Sequence, residues 1–410
     1  MTSQLVLMNQ LAVAVASDTL TSRGSLNGTK TWPSQSKIYE LPAPALGVVT
    51  HCGEVHLQCT SWRLLIRDWS RSTVPLSAPR MTDYRDGFVH WVDQNASGLG
   101  LTEAAGIEKR LGKDEAFGGE IGWLANELGQ KERQELLRDP VSSDEDLASV
   151  ISEIATRRFS ELNYEDISEE SARRMIRDSG VDVASNFRAA LKMEPDSVIG
   201  PATKNALLGY AVSALRSSYG MNPGLELGFA GYGNQESLGQ LARIGIYGFW
   251  GGKLRFVTHD TGSDNPSSYS YIIPLAQSSA IDAFWSGISQ DFFSAACEAA
   301  VQAVREVGSL EEDVIESISN AVSEKIIDYA GRNYQGPFLR TIDGLGISNL
   351  CKFADFLVHL QAFRSATDEG EATVGGHIES LVITPEHGVK WRHRISQEIH
   401  SIEDSSHAFE

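Results

Sequence analysis

The first eighteen residues restrict this chain more than any other stretch. Two apolar runs, 5–8 and 11–16, are separated by the polar pair Asn9-Gln10. Their apolar residues are consecutive rather than alternate, the pattern of strands covered on both faces. A tight turn at Asn9-Gln10 makes the runs a hairpin that returns Asp18 to the level of Thr2. Thr2 follows Met1, and a small side chain in second position permits removal of the initiator. The expected hairpin therefore sets an N-terminal threonine beside a carboxylate, or else it is a buried edge hairpin whose threonine is incidental.

The rest of the chain supplies the layers that such a hairpin needs. Residues 19–34 read as a polar loop, 36–41 as a short strand stopped by Pro42 and Pro44, and 46–53 as a buried strand. From 54 to 69 the apolar residues Val55, Leu57, Trp62, Leu65, Ile66 and Trp69 recur at helical spacing. Residues 76–200 change character. They are rich in Glu, Arg and Ala and carry helix caps such as Ser168-Glu169-Glu170. This segment reads as a helical insertion whose charges form a solvated face without chemistry. Strands are expected at 225–232, 244–250, 254–257 and 271–276, then helices at 281–307, 311–329 and 348–367. A strand pair, 378–385 and 389–394, precedes a flexible tail at 398–410. Strands at both ends with helices between them predict an α+β fold of two stacked antiparallel sheets between helical layers.

Bulk properties narrow the function. A net charge of −19 argues against a polyanion-binding surface, which needs clustered Lys and Arg, so no nucleic acid partner is expected. The four cysteines, Cys52, Cys59, Cys297 and Cys351, show no metal-like spacing, so neither disulfides nor a zinc site are expected. No apolar run reaches membrane-spanning length, and a cytoplasmic location is the simplest expectation.

An N-terminal threonine can act as a nucleophile because its own α-amine, with an ordinary pKa of about 8, can take the hydroxyl proton. It needs a cation to polarise the hydroxyl, a carboxylate to fix that cation, and N–H groups facing the oxyanion. Asp18 and Lys37 are the available carboxylate and ammonium, or else a buried structural pair. A different reading makes Cys52 with His51 or His56 a thiol site. Against it stands the alternation of side chains along a strand.

Taken together, these residues resemble the proteasome β-subunit and HslV-type peptidases of the N-terminal nucleophile (Ntn) hydrolases. In that family an Asp follows the catalytic Thr by sixteen residues, as Asp18 follows Thr2. The catalytic Lys opens a Lys-(Val/Ile) strand, matched by Lys37-Ile38 after a loop three residues longer than usual. Fourteen residues after that Lys comes the glycine whose N–H forms the oxyanion hole, in an LGxxAGG strand-turn. Leu46-Gly47-Val48-Val49-Thr50-His51-Cys52 runs in register and puts His51 there, a departure that narrows the site. Gln277-Ser278-Ser279 falls where a Gly-Ser-Gly turn supplies a serine for the threonine amine, so Ser279 or Ser278 takes that role. The family's D-x-x-S-G corresponds to Glu371 and Val374, with Thr373 as a substitute hydroxyl. The resemblance covers residues 2–75 closely and 203–394 in outline.

The resemblance implies a four-layer αββα Ntn-hydrolase sandwich formed by residues 1–75 and 201–397, with 76–200 inserted. It implies a threonine peptidase working through an acyl-enzyme ester on Thr2, assisted by Lys37, Asp18, the His51 N–H, Ser279 and Glu371. Peptide or unfolded protein would lie as an added strand near Ser22, His51 and Gly53. The family also implies a homo-oligomeric ring or related assembly. Without a GxxxxGK[ST] motif, any ATPase is a separate partner. No cofactor, metal or membrane partner is expected. A small-molecule amidase or acylase of the Ntn class, and an inactive proteasome-like scaffold, are the alternatives.

Overall fold

The computed structural model describes residues 2–25, 28–32, 36–72, 77–112, 119–128, 144–161, 164–193, 198–218, 225–259, 269–307, 312–367 and 373–395. Met1, Glu371 and the tail 398–410 lie outside the described residues. The opening hairpin is present as β1 (Ser3–Met8) and β2 (Val13–Asp18), paired antiparallel. Its turn is longer than a two-residue one. Asn9 Oδ1 accepts the N–H groups of Leu11 and Ala12 at 3.0 and 3.2 Å, and the Asn9 amide donates to the Ile342 and Leu345 carbonyls. Ser17 pairs with Gln4, so Asp18 comes level with Ser3 rather than Thr2.

Residues 21–32, expected to be loop, form a second hairpin of β3 (Thr21–Ser25) and β4 (Gly28–Trp32). Then come β5 (Ile38–Glu40) and β6 (Leu46–Gly53). The helix expected from 54 starts later. His56–Leu57 (β7) and Thr60–Ser61 (β8) pair first, and α1 runs Trp62–Ser72. Gln58 turns this small hairpin with φ +55, and its side chain exchanges two hydrogen bonds with the Thr102 main chain. Those bonds outweigh helical periodicity at 54–61.

Helices α2 (Met81–Asn95), α3 (Glu103–Arg110), α4 (Glu120–Glu127), α5 (Asp144–Arg158), α6 (Glu169–Ser179), α7 (Val183–Ala190) and α8 (Pro201–Arg216) follow. Strands return as β9 (Leu225–Tyr232), β10 (Gln240–Trp250), β11 (Lys253–Thr258) and β12 (Tyr271–Ala276). The single helix expected at 281–307 is two, α9 (Ser279–Ser286) and α10 (Gln290–Val307). Gly287 ends α9 at φ +73, and a Cβ there would meet the Tyr334 ring at 2.5 Å, so this stop favours glycine. Helices α11 (Glu312–Ala330), α12 (Gly336–Asp343) and α13 (Ile347–Thr367), with a π-helical segment at Gly331–Gln335, precede β13 (Ile378–Thr384) and β14 (Gly388–His393).

The strands form two five-stranded antiparallel sheets, β12-β1-β2-β13-β14 and β11-β10-β9-β6-β5. Val6, Val13 and Val15 of the first sheet pack on Val48, Ala230 and Leu241 of the second. The other face of the first sheet, with Leu5, Leu7, Ala14 and Ala16, is covered by Leu350, Ala354 and Leu357 of α13. The other face of the second, with Val49 and Phe229, is covered by Trp62 and Trp69 of α1 and by Phe88 of α2. An α+β arrangement with helices outside two stacked sheets is therefore observed. It explains why both opening strands are buried at every position and carry the consecutive apolar residues 5–8 and 13–16.

A separate helical core joins α3 through α8 to the sheet by way of Trp250. Charges expected to be a solvated face are buried inside it. Glu120 accepts Arg110 at 2.6 Å, Arg158 at 2.8 Å and the Tyr210 hydroxyl at 2.9 Å. No helix among the described residues is long and apolar enough to cross a membrane.

Candidate active site

Three strand ends converge where the opening hairpin finishes. Thr2 precedes β1, and its carbonyl accepts the Gln277 N–H at 2.9 Å, one step beyond the Ser3–Ala276 pair. Asp18 ends β2, and its Oδ1 accepts both the Ser3 N–H at 3.0 Å and Lys37 Nζ at 2.7 Å. Its Oδ2 accepts the Gly375 N–H at 3.2 Å. Lys37 precedes β5 in the other sheet, and its Nζ also donates to the Leu20 carbonyl at 2.8 Å. One carboxylate oxygen therefore holds both the Thr2–Ser3 peptide and the ammonium.

Local chemistry keeps these ends in place. The N–H groups of Thr19 and Leu20 both donate to the Gly375 carbonyl, and Thr19 Oγ1 donates to the His377 carbonyl. Gly376, at φ +75, lets this crossing close, since a Cβ there would sit 2.9 Å from Thr19 Oγ1. Asp18 is 0% exposed, Lys37 2% and Thr2 5%. Burial pushes the Lys37 ammonium down from its ordinary range and the Asp18 carboxyl up, and each is opposed chiefly by the other's charge.

His51 departs from its expected role. The N–H assigned to the oxyanion donates instead to the Lys37 carbonyl at 3.0 Å, because β5 and β6 pair with Ile38 opposite Thr50. Its carbonyl accepts Gln4 Nε2 at 2.7 Å. The imidazole is buried, stacks on Tyr39 at 5.6 Å, and is pushed down to about 3 by burial and then by Lys37, so it is neutral. Cys52 faces the inter-sheet core with its thiol pushed up to about 12 by burial, and His56 is exposed. A thiol site therefore has neither a reactive sulfur nor a partner. Gly53 ends β6, exposed and at φ +92, and Ser22 pairs with Thr31 in β3, its side chain lying outside the described part.

Ser279 is the exposed first residue of α9, and Ser278 donates to Asp282 at 2.6 Å. Neither serine bonds Thr2 among the described residues. The residue that reaches Thr2 is Gln277, and Thr373 Oγ1 donates to Gln277 Oε1 at 3.1 Å. Val374 is buried at the position expected for a serine, while Ser365 accepts the Thr373 and Val374 N–H groups. Gln277, Gln4, Gly375 and Ser365 were not expected from the sequence. Only Gln277 carried a signal, as the first polar residue after a strand.

Among the described residues, no group of three or more His, Cys, Asp or Glu could hold a metal ion. No protein-family model matches this chain, and no curated protein matches it.

Proposed function

We propose that this chain is a proteasome-like threonine peptidase of the Ntn-hydrolase class, hydrolysing peptide bonds through Thr2 once Met1 is removed. The observation that carries the reading is the shared Asp18 oxygen, which ties Lys37 to the Thr2–Ser3 peptide. In this reading residues 1–75 and 201–397 form an αββα Ntn sandwich, and 76–200 is an insertion. The Thr2 amine takes the hydroxyl proton as Oγ1 attacks the substrate carbonyl. The tetrahedral intermediate collapses to an ester on Thr2, and the protonated amine gives its proton to the leaving amine. Water, deprotonated by the same amine, then cleaves the ester. Lys37 donates two hydrogen bonds to Asp18 and Leu20, and its third N–H, unengaged among the described residues, is the one available to the Thr2 hydroxyl. Substrate would lie beside Gly53 and the Ser22 strand. Assembly as a homo-oligomer in the cytoplasm, with any ATPase separate, belongs to the same proposal.

An inactive scaffold is the second reading, favoured by the engaged His51 N–H, which leaves the oxyanion without its expected donor. Intact mass and turnover of fluorogenic peptides separate the two. The peptidase reading expects a chain lacking Met1 that cleaves peptides and a Thr2→Ala variant that does not. Retained Met1, or equal turnover by both proteins, contradicts it. A chain lacking Met1 that cleaves small amides but no peptide is an amidase instead.

A further inference from the structure

We propose that Gln277 is a positioning residue for the Thr2 amine, its side-chain amide aimed by Thr373 and Ser365 so that it presents N–H groups there. The inference rests on the reading of Thr2 as the nucleophile. In an antiparallel hydrogen-bonded pair the N–H and C=O of one residue face the same neighbour. The Thr2 carbonyl accepts the Gln277 N–H, so the Thr2 nitrogen faces Gln277 as well. Ala276, just before, sits at φ +63, a left-handed conformation unusual for alanine, which ends β12 and re-aims the chain at Gln277.

The protons of the network fix which way the amide points. Ser365 Oγ is buried, accepts the N–H groups of Thr373 at 3.1 Å and Val374 at 3.3 Å, and lies 3.3 Å from Thr373 Oγ1. Its own proton therefore goes to Thr373 Oγ1, and the Thr373 proton goes to Gln277, 3.1 Å away, which must offer its oxygen. The flipped amide would send a third donor to Ser365 Oγ and leave the Ser365 proton without an acceptor among the described residues. Nε2 is thus released from Thr373 and makes no hydrogen bond among the described residues. An N–H beside an amine favours the neutral amine, the form that takes the hydroxyl proton. The charged and titratable groups at this strand end among the described residues include Asp18 and Lys37, paired with each other, buried Glu379, which acts on Lys37 and accepts the Ile395 N–H, exposed His377, and Asp282, which holds Ser278. His51 nearby is neutral.

The test follows the Thr2 amine itself. Its acetylation by acetic anhydride is measured against pH, by mass spectrometry of the N-terminal peptide, in wild type, Gln277→Glu, Thr373→Val and Thr373→Ser. Gln277→Glu keeps the backbone N–H that holds Thr2 but brings a carboxylate to the amine. The amine titration is expected to move up by about one pH unit, about tenfold slower labelling on the acid side. Thr373→Val, which releases the amide without adding charge, shifts it less, and Thr373→Ser restores the wild-type curve. Identical titrations for wild type and Gln277→Glu, with both proteins folded by thermal melting, overturn the inference. A normal titration shift in a protein that cleaves no peptide overturns the peptidase reading alone. A chain that keeps Met1 overturns both.

Discussion

Two buried charge clusters in this molecule look alike in composition and differ in how completely they are closed. In the helical block, Glu120 is 1% exposed and is saturated by Arg110, Arg158 and Tyr210. Arg110 spends its remaining donors on the Ala214 and Ser217 carbonyls, and Arg158 lies 3.3 Å over the Trp123 ring. At the sheet end, Asp18 and Lys37 are as deeply buried, but around them Ser3 Oγ, Gln4 Oε1 and His51 Nδ1 have no partner among the described residues. Buried polar groups normally find partners, because leaving one unmade costs about 1–3 kcal/mol. A closed cluster fixes helices against each other. The sheet-end cluster leaves these donors and acceptors unpaired among the described residues.

The comparison breaks if the two clusters respond alike to removal of charge. Glu120→Ala leaves two guanidinium groups buried without their carboxylate and is expected to cost about 3–5 kcal/mol by chemical denaturation. The paired substitution of Asp18→Asn with Lys37→Met removes both partners at once. It should change stability by less than about 2 kcal/mol in either direction, while peptide turnover falls about 100-fold or more. A large loss of stability there, with turnover unchanged, would make the sheet-end pair a structural one like Glu120.

Acid sharpens the contrast. His51 is buried neutral at about 3 against an ordinary 6.5, so below pH 6.5 the unfolded chain takes a proton that the folded chain refuses. Its contribution to stability is complete above 6.5 and is lost toward pH 3 at about 1.4 kcal/mol per pH unit. Urea unfolding at pH 7 and pH 5 should therefore diverge more for wild type than for His51→Gln. The smallest expected effect is Trp123→Leu, which removes the ring under Arg158 and should cost about 0.5–2 kcal/mol with no change in peptide turnover.

What the sequence disclosed follows the range of the interactions. The Thr2, Asp18 and Lys37 spacing was legible because each residue stands at the end of a short strand, Thr2 before β1, Asp18 closing β2 and Lys37 before β5, and strand ends are set by local pattern. The His51 N–H was not legible, because its fate depends on the register of β5 against β6, where Ile38 meets Thr50. Gln277 was missed for the same reason at longer range. A serine was expected by type, but the pairing of β1 with β12 across most of the chain brings Gln277 to Thr2. Arg110, Glu120 and Arg158 read as surface charges, since no local pattern announces that three helices will bury them together.

The central claim is that the sheet-end cluster serves a reactive Thr2. A peptide epoxyketone reacts with both the amine and the hydroxyl of an N-terminal threonine, and peptide mapping by mass spectrometry locates the adduct. The expected result is one adduct on Thr2, absent from Thr2→Ala and strongly slowed in Lys37→Met. No adduct on a chain that has lost Met1, or an adduct that persists in Thr2→Ala, contradicts the account.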